Sequence, residues 1–209
     1  MTPGQAHAYE SMMPIYGFEY QKEMLDMQTL FGNNNPVALE IGFGMGESLA
    51  NLAEAHEDWN FMGVDVHRPG IGALLATVHE KQLSNIKIIE HDAIDLFKRF
   101  IKPNSLDMIQ ILYPDPWPKR RHHKRRLIQS SFLELILPAL KTNGFLFIAT
   151  DWKDYAKHIQ SVLHSCAALK SVDQKILKHP LLITRSQTKF QTRGLKKGHN
   201  IFEFFMKKN

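Results

Sequence analysis

Residues 37 to 65, VALEIGFGMGESLANLAEAHEDWNFMGVD, decide the fold. The first five residues, VALEI, predict a short buried strand, and a second apolar run, Phe61–Asp65, predicts another. Between them a glycine loop leads into apolar spacing that predicts a helix from about Glu47 to His56. Strand, loop, helix and strand in this order are typical of two parallel strands joined by a crossover helix.

The same alternation of short apolar runs and longer helical periods continues to the end of the chain. Further strands are predicted at residues 86–92, 106–113, 144–150 and 201–207. Helices are predicted at about 71–82, from the end of the 86–92 strand through residue 100, and at about 127–140 and 152–169. Because the strand runs are apolar on both faces, we expect an α/β fold whose mostly parallel sheet is covered by helices on both sides.

The first 35 residues carry a weaker pattern, because Pro3, Pro14 and Gly17 interrupt any long periodicity. A short amphipathic helix is predicted from Glu19 to Phe31, followed by a turn at residues 32–36. We therefore expect residues 1–35 to form an N-terminal extension and residues 36–209 to form a single domain.

Composition limits the kinds of protein this chain can be. It has 209 residues, 44% of them hydrophobic, which is enough for one sizeable core. Its single cysteine, Cys166, excludes intrachain disulfides and fits a reducing compartment. No apolar run approaches the roughly 18 residues of a membrane span, and no signal-peptide pattern begins the chain. These features predict a cytoplasmic protein.

The polar residues that draw attention all follow predicted strands. They are the glycine loop at residues 42–46 and the four acids Asp65, Asp92, Asp115 and Asp151. Since ligands of parallel sheets bind at the carboxyl ends of the strands, we expect one ligand-binding rim there. Asp65, after the second strand, is placed to accept hydrogen bonds from a ribose diol, and Asp92, after the third, to lie beside an adenine.

The glycine loop separates two kinds of nucleotide site. A dinucleotide fingerprint requires G-x-G-x-x-G, but Glu47 occupies the last glycine position, and an acid suits a pyrophosphate poorly. The E-x-G-x-G-x-G pattern from Glu40 to Gly46 instead resembles the loop of class I S-adenosylmethionine methyltransferases. Their ligand is a cationic sulfonium without phosphate, which an acidic rim would attract. A nicotinamide-dependent oxidoreductase is the enzymatic alternative.

A second distinctive stretch, IQILYPDPWPKRRHHKRR, runs from Ile109 to Arg126. Asp115 stands between two prolines, which fix their own φ and favour extended geometry in the residues before them. Tyr113 and Trp117 offer flat faces that could stack on a base. The six lysines and arginines at residues 119–126 exceed the net charge of +5, so the positive charge forms a patch suited to a polyanion. A solvated helix face or loop is the alternative interpretation of such a run.

Taken together, the motifs resemble the bacterial tRNA (guanine-N7)-methyltransferases of the TrmB type. The matching pieces cover about four-fifths of the chain in the family's order. They are LEIGFGMGESL from Leu39, GVDVHRPGIGALL from Gly63, HDA at His91–Ala93, YPDPWPKRRHHKRR from Tyr113, ATDW at Ala149–Trp152, TKFQTRG at Thr188–Gly194 and GH at Gly198–His199.

The resemblance implies a class I, Rossmann-like methyltransferase with a seven-stranded sheet that methylates guanine N7 of the variable-loop guanosine in tRNA. It implies S-adenosylmethionine as cofactor, contacted by Glu40, Gly42, Gly44, Gly46, Asp65, Asp92 and Asp115, with Asp115 also at the catalytic position. It implies substrate contacts from Lys119, Asp151, Thr188, Lys189, Phe190 and Gln191, and RNA contacts from Arg121, His122, His123, Lys124, Arg125 and Arg126.

The chain departs from the family pattern at two places. Gln191 stands where the family usually has Glu, and an amide, unlike a carboxylate, is uncharged and can also donate. The N-terminal extension is short compared with longer relatives. No metal site is expected, because the histidines lack ligand spacing. We expect a monomer or weak homodimer, and a non-catalytic RNA-binding protein on a methyltransferase-like fold is the alternative from another class.

Overall fold

The computed structural model describes residues 1–18, 24–173, 178–185, 188–196, 198 and 200–209, without the side chains of residues 189, 190 and 196. The strands are β1 (Val37–Ile41), β2 (Asn60–Asp65), β3 (Ile86–Glu90), β4 (Leu106–Leu112), β5 (Leu140–Thr150), β6 (Leu169–Ser171) and β7 (Phe202–Lys208). The helices are α1 (Pro3–Tyr16), α2 (Met27–Phe31), α3 (Glu47–Ala55), α4 (Arg68–Glu80), α5 (Ala93–Arg99), α6 (Ser130–Ile136), α7 (Lys153–His164), α8 (Pro180–Ile183) and α9 (Lys189–Lys196), with a 3-10 helix at Arg120–Arg125.

All seven strands form one sheet in the order β3-β2-β1-β4-β5-β7-β6. The first five are parallel, and β7 is antiparallel to both β5 and β6, which confirms the predicted mostly parallel, seven-stranded architecture. The chain moves outward from β1 to β3 and then returns to place β4 on the other side of β1. This reversal opens a crevice at the carboxyl ends of β1 and β4, where such folds bind ligands.

The sheet separates two apolar layers, and β1 shows how one strand serves both. Val37, Leu39 and Ile41 belong to the layer that includes α5, α6 and α7. Ala38, between them, belongs to the layer that includes α3 and α4. Because successive side chains of a strand point to opposite faces, a continuous apolar run is what a strand covered on both sides requires.

The N-terminal segment differs from the prediction. Residues 3–16, expected to be interrupted, form the 14-residue helix α1. Its start has a capping box, in which Gln5 N–H donates to Thr2 Oγ1 and Thr2 N–H donates to Gln5 Oε1, with Pro3 in the first turn. Periodicity did not reveal this helix because Ala8 is its only buried residue. The predicted helix 19–31 is wrong for residues 24–26, since α2 begins at Met27, and residues 19–23 lie outside the described part.

The extension packs closely against the rest of the chain. A Cβ added to Gly72 of α4 would lie 2.3 Å from the Gln5 carbonyl oxygen, so α1 and α4 touch backbone to backbone. Beyond α1, Gly17 bridges to Ile88 of β3, and Phe18 N–H donates to the Ile88 carbonyl at 3.0 Å. These contacts occupy part of the outer edge of β3, which would otherwise be open to pairing.

Several element boundaries also differ from the sequence pattern. The helix predicted at 127–140 spans only Ser130–Ile136, since β5 already begins at Leu140. The helix predicted at 152–169 ends at His164, and Leu169 begins the short strand β6. No apolar run in the sequence predicted β6. Asp92, predicted as a strand end, caps α5, and its carboxylate accepts from Asp95 N–H at 3.0 Å.

Candidate active site

The glycine loop presents bare backbone to the crevice. Gly42, Gly44 and Gly46 have φ of +73°, +59° and +75°, in the left-handed region that only glycine adopts without strain. A Cβ on Gly42 or Gly44 would meet no atom within 4 Å, so both face open space. A Cβ on Gly46 would lie 2.6 Å from Leu74 Cβ, so this glycine allows the loop to pack against α4.

Asp65, at the end of β2, fixes the shape of this loop. Its Oδ2 accepts from Gly44 N–H at 2.9 Å, while its Oδ1 accepts from the N–H groups of Val66 at 2.7 Å and His67 at 2.9 Å. A carboxylate oxygen can accept two hydrogen bonds, so Oδ2 retains capacity for one more donor. The predicted ribose contact stays a prediction that this geometry accommodates.

Glu40 and Gln110 lie at the point where the strand order reverses. They are directly paired in the register of β1 and β4, and Gln110 Nε2 donates to Glu40 Oε2 at 2.8 Å. Glu40 is only 2% exposed. Burial raises its pKa to about 7, although the positive charge of Arg185 and the hydrogen bond from Gln110 act in the opposite direction. A cation bound beside Glu40 would replace the solvation that the carboxylate loses on burial and would stabilise its ionised form.

Gln110 was missed by the sequence analysis, although a polar residue inside the apolar run IQIL was a usable signal. Its Nε2 is bound by Glu40, and among the described atoms its Oε1 is buried without a hydrogen-bond partner. An unsatisfied buried oxygen of this kind indicates a donor supplied from outside the chain. The buried acid, the open glycine loop and this oxygen fit S-adenosylmethionine, which carries a sulfonium, an ammonium group and hydroxyl donors.

Asp115 lies in an exposed loop held in an unusual conformation. The residues before Pro114 and Pro118, Tyr113 and Trp117, have φ of +53° and +43°. The extended geometry expected for Tyr113 before Pro114 is therefore wrong, since Pro114 disfavours the right-handed helical region but Tyr113 adopts a positive φ. Positive φ in aromatic residues is strained and persists only where the surroundings impose it.

The two aromatic residues are also less available for stacking than expected. The Tyr113 ring packs against the core layer of α3 and α4, and burial raises its pKa to about 12. Trp117 already carries the Arg125 guanidinium 4.9 Å from its ring centre and the edge of His122 at 5.8 Å. A base that stacks on Trp117 would therefore also meet the Arg125 and His122 side chains, which already contact this ring.

The side chain of Arg126, predicted to contact RNA, is only 2% exposed. Its Nε donates to the Pro116 carbonyl at 2.9 Å, and its Nη2 lies 2.5 Å from Asp154 Oδ2. The guanidinium also stands 4.9 Å from the ring centre of Tyr155. Arg126 thus ties the Asp115 loop to the first turn of α7.

The rest of the basic run forms the exposed surface that its sequence suggested. Lys119, Arg120, Arg121, Lys124 and Arg125 are exposed. His122 and His123 are partly covered, and His123 Nε2 lies 3.7 Å from Asp154. Asp115 is close enough to α7 for its charge to reinforce the raised pKa of Tyr155, whose main cause is burial. The acidic loop and the basic surface are therefore adjacent.

The TKFQTRG motif reaches the same rim through α9. A Cβ on Gly194 would lie 2.9 Å from Asp151 Oδ2, so α9 packs directly on the Asp151 side chain. Thr188 Oγ1 accepts from Gln191 N–H at 3.1 Å and so caps the helix. The side chains of Lys189 and Phe190, and the whole of His199, lie outside the described part of the structure.

Arg185 is the second residue that the motifs did not reveal. Its side chain is 7% exposed, and Nη2 donates to Glu203 Oε1 at 2.7 Å while Nη1 donates to Gln191 Oε1 at 3.3 Å. Its guanidinium stands 5.3 Å from the ring centre of Phe147 and acts electrostatically on Glu40. The residues next to Arg185 in sequence do not predict these contacts, because Gln191, Glu203 and Phe147 belong to three different elements.

Two further classes of site were sought within the described residues. No group of three or more His, Cys, Asp or Glu side chains could hold a metal ion there. None of the helices in the described ranges has the length and apolar character needed to cross a membrane.

Comparison with known proteins identifies the family. A family profile described as "Putative methyltransferase" matches residues 34–204. The tRNA (guanine-N(7)-)-methyltransferases of Salmonella choleraesuis (strain SC-B67) and Escherichia coli (strain K12) are each 42% identical over 208 residues, covering 100% of this chain and 87% of the relative. A SAM dependent methyltransferase from Aquifex aeolicus shares the fold, with a TM-score of 0.55 at 14% identity over 87% of each chain.

These matches confirm the class I methyltransferase fold and the use of S-adenosylmethionine by the family. They agree with the motifs from which the resemblance was drawn, and they extend over almost the whole sequence. The chain belongs to the family of tRNA (guanine-N7-)-methyltransferases.

Proposed function

We propose that this chain transfers a methyl group from S-adenosylmethionine to N7 of the variable-loop guanosine of tRNA. The observation that carries the proposal is the adjacency of two surfaces. Glu40, Asp65 and the glycine loop form an acidic crevice for a cationic donor. The Asp115 loop follows β4, the strand beside β1, and leads into an exposed basic 3-10 helix. A donor site and a polyanion site in one place are what methylation of an RNA requires.

The chemistry places few demands on proton transfer. Guanine N7 has a free lone pair and no proton, so the nucleophile needs no general base. S-adenosylmethionine, when bound, supplies a methyl group activated by the positive sulfonium. The residues of the chain must position N7 in line with that methyl group and stabilise the positive charge that develops on the base.

Asp115 is the residue we assign to this stabilisation. Its carboxylate would accept from guanine N1–H and the exocyclic amine, which fixes the ring and lowers the energy of the cationic product. Arg126 fixes the loop by holding the Pro116 carbonyl next to Asp115. Exposed cations such as Arg121 would bind phosphates without reading sequence. A tRNA substrate would place the activity in the cytoplasm.

The test is Asp115→Asn, with Asp58→Asn, an exposed acid paired only weakly with His56, as control. We expect Asp115→Asn to retain S-adenosylmethionine affinity in calorimetry and to lose at least a hundredfold in kcat on unmodified tRNA, the scale of one lost charge-stabilising group. The control should retain both. An unchanged kcat in Asp115→Asn would remove this residue from the mechanism.

The product itself needs identification. Transfer of labelled methyl to unmodified tRNA, followed by nucleoside analysis, should yield 7-methylguanosine from the variable loop. Binding of S-adenosylmethionine separates the enzyme from a non-catalytic RNA-binding protein, which has no use for an acidic crevice. Sedimentation at micromolar concentration would test the expected monomer or weak homodimer.

A further inference from the structure

A second concave surface adjoins the candidate active site. It is a cavity of about 520 Å³ between the first turn of α7 and the start of β7. Asp151 and Trp152 line its inner side, Lys153 and Lys157 line the helix side, and Phe202 lines the strand side. Its volume falls within the range of pockets that bind small ligands.

The lining combines aromatic rings with charges of both signs, because Lys153 and Lys157 are positive while Asp151 and Asp154 are negative. Trp152 and Phe202 are half-buried and both line the cavity. Lys153 and Lys157 are exposed and four residues apart, which places them on one face of α7. The neighbouring acid Asp154 is engaged by Arg126, and the hydrogen bond from Arg126 is the main cause of its lowered pKa. The two lysines therefore share the cavity with Asp151 and with Asp154, whose charge is partly offset by Arg126.

Asp151 connects this cavity to the predicted substrate contacts. Its side chain packs on Gly194 of α9, the helix that carries the TKFQTRG motif, and it also forms part of the cavity wall. A guanine bound in the active site near Asp151 would therefore have the neighbouring nucleotides of its strand within reach of the cavity. Single-stranded nucleic acids bind by stacking on aromatic rings and by phosphate contacts to lysine and arginine.

We propose that this cavity binds the nucleotide adjacent to the target guanosine, with its base against Trp152 and Phe202 and its phosphate at Lys153 and Lys157. This inference rests on the proposed function, since it assumes an RNA substrate. It adds a stacking subsite in which Trp152 of the ATDW motif acts together with Lys153, Lys157 and Phe202, which lie outside the family motifs. The subsite would hold the RNA strand in an unstacked conformation, which frees the target base to enter the active site.

The experiment measures tRNA binding and methylation in the full-length chain. Lys157→Ala removes a phosphate contact, Phe202→Leu retains apolar volume but removes the flat face, and Lys98→Ala alters an exposed lysine on α5 as a matched control. We expect Lys157→Ala to flatten the plot of log K against log salt by roughly 0.7–0.9. Phe202→Leu should raise the Kd for tRNA about tenfold with an unchanged salt slope.

Both variants should retain wild-type affinity for S-adenosylmethionine, which shows that they are folded. Lys153→Ala provides a second surface variant if Phe202→Leu proves unstable, and it should also flatten the salt plot. Variants at Lys153, Lys157 and Phe202 that all bind tRNA as Lys98→Ala does would overturn the subsite. Failure of the wild-type chain to methylate any tRNA would instead refute the proposed function. The subsite would still be tested in that case, because the binding measurements do not depend on turnover.

Discussion

Arg126→Ala would separate structural from RNA-binding roles inside a single basic run. The wild-type guanidinium is 2% exposed and makes hydrogen bonds to the Pro116 carbonyl and to Asp154. A hydrogen bond from a charged donor contributes about 1.5–3 kcal/mol when buried. The pair with Asp154 must be discounted to at most about 1 kcal/mol, because the Asp154 side chain is 61% exposed.

Adding the packing lost from the Tyr155 ring, we expect Arg126→Ala to lower the free energy of unfolding by about 3 kcal/mol. For a chain of this length that corresponds to a fall in Tm of about 6–12 °C. Arg121→Ala, at an exposed position of the same run, should change stability by less than about 0.5 kcal/mol. Thermal and urea unfolding of the two variants side by side measure the difference.

For RNA binding we expect the opposite ranking of the two variants, with the larger effect in Arg121→Ala. Arg121→Ala should flatten the salt plot for tRNA by roughly 0.7–0.9, because an exposed phosphate contact is lost. Arg126→Ala, measured where it is still folded, should leave that slope unchanged and reduce kcat by loosening the Asp115 loop. If Arg126→Ala is as stable as Arg121→Ala and flattens the plot equally, the structural assignment of Arg126 is wrong.

Two further predictions concern the buried charges of the crevice. Because the folded-state pKa of Glu40 is about 7, against an ordinary 4.5, the folded chain holds a proton between these values that the unfolded chain has released. Its free energy of unfolding should therefore fall by up to about 3 kcal/mol as pH rises from about 4.5 to 7, and urea titrations of Glu40→Gln should lack this fall. Arg185→Ala should raise the Glu40 pKa further and move the midpoint of pH-dependent S-adenosylmethionine binding upward; an unmoved midpoint would argue against electrostatic coupling.

The sequence was most informative where local pattern alone determines structure. The apolar runs located β1 to β5 and β7, and the alternation of strands with helices implied the parallel sheet, so the rim of acids at the carboxyl ends could be foreseen. The pairing of Glu40 with Gln110 could not, because it depends on which strand lies beside β1. Only the order of the strands, a tertiary property, brings these two residues together.

The basic run shows a different limit of sequence reasoning. Arg125 and Arg126 are neighbours of the same residue type, yet one is exposed over Trp117 and the other is buried beside Tyr155. Residue type and local charge density cannot distinguish them, since burial of Arg126 depends on the position of α7.

The attachment of the N-terminal segment has a practical consequence for anyone preparing a shortened protein. A fragment beginning at Pro36 would lack α1 and Phe18, so Gly72 would lose its close neighbour and the Ile88 carbonyl would lose its donor. The bared side of β3 would then be free to pair with the same strand of another molecule. Such a truncated protein should be more prone to self-association than the full chain, even though every motif of the family is still present.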